Sequence, residues 1–138
     1  MGKITVETCH IEGLKVITPA VFGDERGYFM ETYNYNEFKE LGLDMVFVQD
    51  NQSKSTKGVL RGMHYQKEHT QGKLVRVISG KVYDVVVDIR KDSKTYGQWY
   101  GATLSAEEKN MMYVPEGETP IISEKDTKHP NFSSAIYL

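Results

Sequence analysis

At 138 residues, with 39% hydrophobic and 11% aromatic content, the chain can bury one modest core and is too short for two ordinary domains. Its 17 basic and 19 acidic residues are interspersed and leave a formal charge of −2, so no single-sign field recruits nucleic acid or a membrane surface. No apolar run approaches the roughly 20 residues of a membrane helix; the single cysteine, Cys9, has no partner for an internal disulfide, and residues 1–8 have neither signal nor transit character, so a cytoplasmic protein is expected.

Residues 16–22 read as an apolar strand broken at Pro19, and Gly23-Asp24-Glu25-Arg26-Gly27 has the turn chemistry of a hairpin or tight loop. An aromatic extended run follows over 28–32. Over 36–41 the spacing predicts a short surface helix, with Phe38 and Leu41 on one face and Gly42 where a helix stops. Residues 45–49 read as a strand, 53–58 as a polar loop, and 59–66 as a strand interrupted by Gly62. The β-branched runs 73–79 and 81–90 are expected to form a hairpin joined at Gly80, since glycine takes the positive φ such a turn wants. In the second run Tyr83, Val85, Val87 and Ile89 share one face, read as the core side; Val82, Asp84, Val86 and Asp88 share the other. Strands over 98–104 and 111–114 complete a series that argues for an all-β sandwich or barrel rather than βαβ units. From 118 to 138 alternation gives way to Ser, Lys, Pro and Asn, which reads as an extended C-terminal tail.

Four stretches could carry chemistry. Val59-Leu60-Arg61-Gly62-Met63-His64-Tyr65-Gln66 sets a cation and an imidazole in an otherwise apolar strand; strict alternation would send Arg61 and His64 to opposite faces, and a bulge at Gly62 would unite them. A hydrogen-bonded core or edge histidine is the bland alternative. A metal centre would want His-x-His followed by a carboxylate, but Gln66 stands two after His64, and the nearest other histidine is His69, so no metal is expected. In Phe47-Val48-Gln49-Asp50-Asn51, Gln49 and Asn51 share a side of a strand end and offer amide groups to hydroxyls, phosphate oxygens or a base edge; an Asx-type turn is the alternative. Arg26 and Glu31 flank an aromatic strand and could simply be solvated. Lys73 shares the parity of Val75 and Val77, where a lysine either snorkels out or reaches a pocket and stabilises a developing oxyanion.

Taken in this order, the stretches 21–27, 47–51, 58–66, 71–77, 84–90 and 96–99 resemble the dTDP-4-dehydrorhamnose 3,5-epimerases, and the likeness is nearly continuous from Leu14 to Gly117. The resemblance implies a cupin-type jelly roll, a double-sheet antiparallel barrel with one short helix, as an epimerase core over 1–117 followed by the tail 118–138. It implies a dTDP-4-keto-6-deoxy sugar nucleotide as substrate, inverted at C3 and C5 without cofactor or metal. His64 would be the base that takes the proton next to the ketone, and Lys73 would sit by the enolate oxygen. Arg26, Glu31, Gln49, Asp50, Asn51 and Arg61 would hold the nucleotide and sugar. It also implies a homodimer in which the hairpin around Arg26 completes the partner's site. Epimerisation next to a carbonyl needs a base of near-neutral pKa, a cation for the enolate and an acid on the opposite ring face.

Family members continue after the position of Val114-Pro115-Glu116-Gly117 through a long stretch bearing another histidine, a proton-returning tyrosine and an aspartate that pairs with the base. Here Glu118-Thr119-Pro120-Ile121-Ile122 follows directly, like the family's C-terminal tail, so the C-terminal part of the jelly roll is expected to be incomplete. A catalytically impaired sugar-nucleotide binder and a related cupin ketoisomerase are the alternatives to a working epimerase.

Overall fold

The computed structural model describes residues 3–64, 72–115, 121–125 and 131–137, with the backbone alone described over 61–64, 121–125 and 131–137. The strands are β1 (Thr5–Thr8), β2 (Lys15–Thr18), β3 (Val21–Asp24), β4 (Gly27–Met30), β5 (Gln49–Ser55), β6 (Leu60–His64), β7 (Lys73–Ser79), β8 (Lys81–Val87), β9 (Trp99–Ser105), β10 (Met111–Val114), β11 (Ile121–Lys125) and β12 (Asn131–Tyr137), with helix α1 (Tyr35–Glu40) between β4 and β5. They form a six-stranded sheet in the order β1-β2-β10-β7-β12-β5, a four-stranded sheet β6-β11-β8-β9 and a separate ribbon β3-β4. Every pairing is antiparallel. The all-β, double-sheet architecture with one short helix matches the sequence reading.

The main core lies between the two sheets, where Val77, Met112 and Val114 of the larger meet Val82, Val86 and Leu104 of the smaller, closed by Ile11 and Leu14. Strand alternation sends the intervening residues of the larger sheet outward, and there Ile17, Leu74 and Met111 pack beneath Phe38, Leu43 and Met45. The helix starts where the Asn34 side chain accepts a hydrogen bond from the Glu37 amide at 3.1 Å, a standard N-cap. Phe38 is buried, but Leu41, which shares its face in the sequence reading, stands 41% exposed at the C-cap, and Leu43 beyond the turn packs with Phe38 instead.

Several expectations change. The runs on either side of Gly80 do not pair: β7 belongs to the larger sheet and β8 to the smaller, so Gly80, at φ 81°, turns the chain across the sandwich. The core side of β8 is the acid-bearing one, with Val82, Asp84 and Val86 all buried while Tyr83 is 37% exposed. Apolar residues on both parities hid which face turned inward. The strand expected over 45–49 starts instead at Gln49, because ladder bonds begin only where Tyr137 of β12 comes alongside; the carbonyl of Met45 is taken by the Tyr33 hydroxyl at 2.8 Å. The stretch 118–138 supplies β11, between β6 and β8, and β12, between β7 and β5, so that inner strand edges are covered.

Beyond β8 a buried polar knot fixes the connection to β9. Asp88, fully buried, accepts hydrogen bonds from the Arg90 amide and guanidinium and from the Ser93 and Thr95 hydroxyls, while its backbone pairs with Gln98 and Gly97. Arg90 then reaches the carbonyl of Glu12 at 2.9 Å and ties this loop to the N-terminal segment.

Candidate functional site

Lys73 opens β7 on the inward parity of Val75 and Val77, half-buried at the end of the main core. Burial holds its ammonium below the ordinary lysine range, and the negative charge of Asp84 partly offsets that effect. Asp84 is 1% exposed between Val82 and Val86, so a buried carboxylate on one sheet acts on a half-buried ammonium of the other.

Strand register extends this pair into two rows. In the larger sheet Lys73 pairs with Tyr137, and Tyr137 with Gln49; likewise Val75 pairs with Ala135, and Ala135 with Asn51. Gln49 and Asn51 therefore share the inward parity of Lys73, two strands away, at about 10 Å. Asp50 has the opposite parity, level with Leu74 through Ile136. In the smaller sheet Asp84 pairs with Ser123, which pairs with Arg61, and Val86 pairs with Ile121, which pairs with His64. The β11 partners of Arg61 and His64 lie two residues apart, although Arg61 and His64 themselves lie three apart. The extra residue is a bulge within Gly62-Met63, and it puts positions 61 and 64 on one parity, that of Asp84 and Val86.

Arg26 and Glu31 stand elsewhere. The ribbon β3-β4 pairs with no other described strand, and at its turn the Arg26 guanidinium binds Asp24 at 2.7 Å with 86% of its side chain exposed. That pairing lowers the Asp24 pKa. Phe22, Tyr28 and Phe29 line a concavity of about 300 Å³ beside Arg26, and all three are largely exposed. The register thus gives Gln49, Asn51 and Lys73 the inward parity of the larger sheet and positions 61 and 64 the parity of Asp84 and Val86 in the smaller, while Asp50 has the outward parity and Arg26 and Glu31 lie at the separate ribbon.

Sequence reasoning placed Asp84 on a polar strand face and missed its burial beside Lys73; the valines on both sides of it were the available signal. Among the described residues no three His, Cys, Asp or Glu side chains gather as metal ligands would, and no helix is long and apolar enough to cross a membrane. His69 and His129, together with the side chain of His64, lie outside the described residues.

A family profile for dTDP-4-dehydrorhamnose 3,5-epimerase matches residues 8–119. A protein of that name from Methanothermobacter thermautotrophicus is 49% identical over 137 residues, a match covering 91% of this chain and 74% of the relative. One from Shigella flexneri is 58% identical over 109 residues, covering 78% of this chain and 60% of the relative. Among solved structures, the Legionella pneumophila dTDP-6-deoxy-D-glucose-3,5-epimerase in complex with dTDP-4-keto-L-rhamnose superposes with a TM-score of 0.91 at 42% identity, over 98% of this chain and 71% of that one. The Bacillus anthracis 3,5-epimerase with TDP and pyrophosphate bound gives 0.92 at 37% identity, over 98% and 77%.

Proposed function

The chain belongs to the dTDP-4-dehydrorhamnose 3,5-epimerase family, and on that premise we propose that it epimerises dTDP-4-dehydro-6-deoxy-D-glucose at C3 and C5 to give dTDP-4-dehydro-L-rhamnose. The observation that carries this reading is the half-buried Lys73 ammonium, held below its ordinary pKa and facing the buried Asp84 on the same inward side as positions 61 and 64.

Removing a proton next to a ketone builds negative charge on the ketone oxygen, and a partly desolvated ammonium stabilises that charge more strongly than a hydrated one. Lys73 fills that role, with Asp84 keeping it protonated. His64 is the base, since an unperturbed imidazole titrates near the working pH. Arg61 binds the diphosphate, while Gln49 and Asn51, on the inward parity of β5, bind nucleotide or sugar groups, and Asp50, on the opposite parity, takes no part in that cleft. Neither cofactor nor metal takes part in this scheme.

Arg26 and Glu31 enter through a second copy. The projecting ribbon exposes Tyr28 at 62% and Phe29 at 71%, and a homodimer in which it reaches the partner's cleft covers both rings and delivers Arg26 to the nucleotide. Light scattering at micromolar concentration is expected to give twice the chain mass; a monomer alone overturns the assembly. The single free cysteine suits a reducing cytoplasm.

The test of the chemistry is to incubate the chain with the 4-keto sugar nucleotide in heavy water and follow the C3 and C5 protons by NMR. Exchange is expected, slowed by about two orders of magnitude or more in His64→Asn. Equal exchange in the variant removes His64 as the base. Binding without exchange in either protein favours a sugar-nucleotide binder.

A further inference from the structure

Arg76 lies on β7 between Val75 and Val77, which pack toward the main core, so its parity turns it to the opposite face of the sheet from Lys73. There it stands beyond the patch covered by Phe38, Leu43 and Met45. Its Nε is buried, and no described group accepts a hydrogen bond from it. An arginine donor left in that condition costs free energy that a bound acceptor would recover.

A small cavity of about 60 Å³ opens beside it, lined by Arg76, Tyr28, Met30, Ile78, Lys109 and Asn110. Lys109 approaches from the start of β10, where Met111 pairs with Arg76, and its backbone is held at φ 58°, a conformation few non-glycine residues adopt. Its Nζ sits 4.5 Å from the centroid of the Tyr28 ring and donates to the carbonyl of Glu107 at 3.1 Å. The amide of Asn110 is already committed, to the Thr103 carbonyl and the Ser105 amide. Among the described residues no carboxylate lines the cavity, and the neighbouring strand β12, whose Ser134 pairs with Arg76, contains no acidic residue in its sequence. Two cations thus line a space too small for a sugar or a base, with no counter-charge among the described residues that line it.

We propose that Arg76 and Lys109 form a binding site for one small oxyanion, a phosphate or a carboxylate, on the outer face of the six-stranded sheet and separate from the cleft at Lys73. The guanidinium supplies directed donors and the ammonium a point charge, with the Tyr28 ring as a wall. Because Tyr28 and Met30 belong to β4, an occupied site ties one side of the ribbon to the six-stranded sheet of its own chain. The oxyanion comes either from free phosphate or from an acidic side chain of a second copy.

The two sources separate in one set of measurements on the full chain. Inorganic phosphate is titrated against chloride at matched ionic strength, with melting temperature and calorimetric binding as readouts. Free phosphate as the ligand predicts a saturable rise in melting temperature, with affinity falling at least about tenfold in Arg76→Gln and less in Lys109→Met. A carboxylate from a second copy predicts no phosphate effect, but a dimer dissociation constant raised at least about tenfold in the same variants, read by sedimentation. Should Arg76→Gln fail to fold, Lys109→Met alone decides between these outcomes. No phosphate response together with an unchanged dimer constant overturns the site, as does a phosphate response equal in wild type and variants.

Discussion

Arg90 donates from Nε to Oδ1 of Asp88 at 3.0 Å, and the same guanidinium spans to the carbonyl of Glu12, so one buried acid orders two segments far apart in the chain. Burial alone would raise the Asp88 pKa, but the bonds from Arg90, Ser93 and Thr95 outweigh it and hold the carboxyl well below the usual range. Such a group stabilises the fold in full above its unfolded value of about 4 and loses that contribution only as pH falls through its lower native value. Asp88→Asn is expected to cost about 3–5 kcal/mol near neutrality, the range for breaking a buried pair. Urea melts should show that deficit constant from pH 8 to about 5 and shrinking only in stronger acid. A deficit that changes between pH 8 and 6 contradicts the assignment.

Asp84 holds a proton on Lys73 against the pull of burial, so its neutralisation should let the lysine pKa fall further. In Asp84→Asn the alkaline limb of the pH–rate profile is expected to move to lower pH, with substrate affinity at neutral pH changed less than turnover. A limb that stays in place or moves upward shows that Asp84 does not act through Lys73.

Arg61 is proposed to grip the diphosphate from the inward side of β6. Arg61→Ala should weaken dTDP binding by about 1.5–3 kcal/mol, the usual worth of a hydrogen bond to a charged group. Calorimetry giving the wild-type affinity removes Arg61 from the site.

On the outer face of the smaller sheet the ring of Tyr83 lies across Gly101, where a Cβ would come within 2.6 Å of the tyrosine Cζ. Gly101→Ala is expected to cost about 1–3 kcal/mol by displacing that ring. The double variant with Tyr83→Ala should be more stable than the sum of the single changes requires, because the clash is then gone. Strict additivity in denaturant melts refutes the contact.

Local chemistry was legible in the sequence wherever it was self-contained. Glycines and charges marked the turn between β3 and β4, Gly42 marked the end of the helix, and Gly62 marked the bulge that sets positions 61 and 64 on one parity. Partner choice between strands was not legible, because pairing depends on distant residues. Gly80 suits a hairpin and a sheet-to-sheet crossing equally well, and the polar run Gln49–Ser55 became a strand only because Asn131–Tyr137 runs beside it. The inward turn of Asp84 was hidden for the same reason, since its burial is decided by what packs above β8.

The insertion of β12 between β7 and β5 has a consequence for biosynthesis. During synthesis β5 leaves the ribosome long before β12, its one partner among the described strands, exists, and β7 emerges with one flank bare. The six-stranded layer can therefore knit together only after residues 131–137 arrive, and the nascent chain carries open strand edges until then. This delay is a hazard for self-association, and it makes the arrival of β12, rather than early collapse, the event that closes the larger sheet.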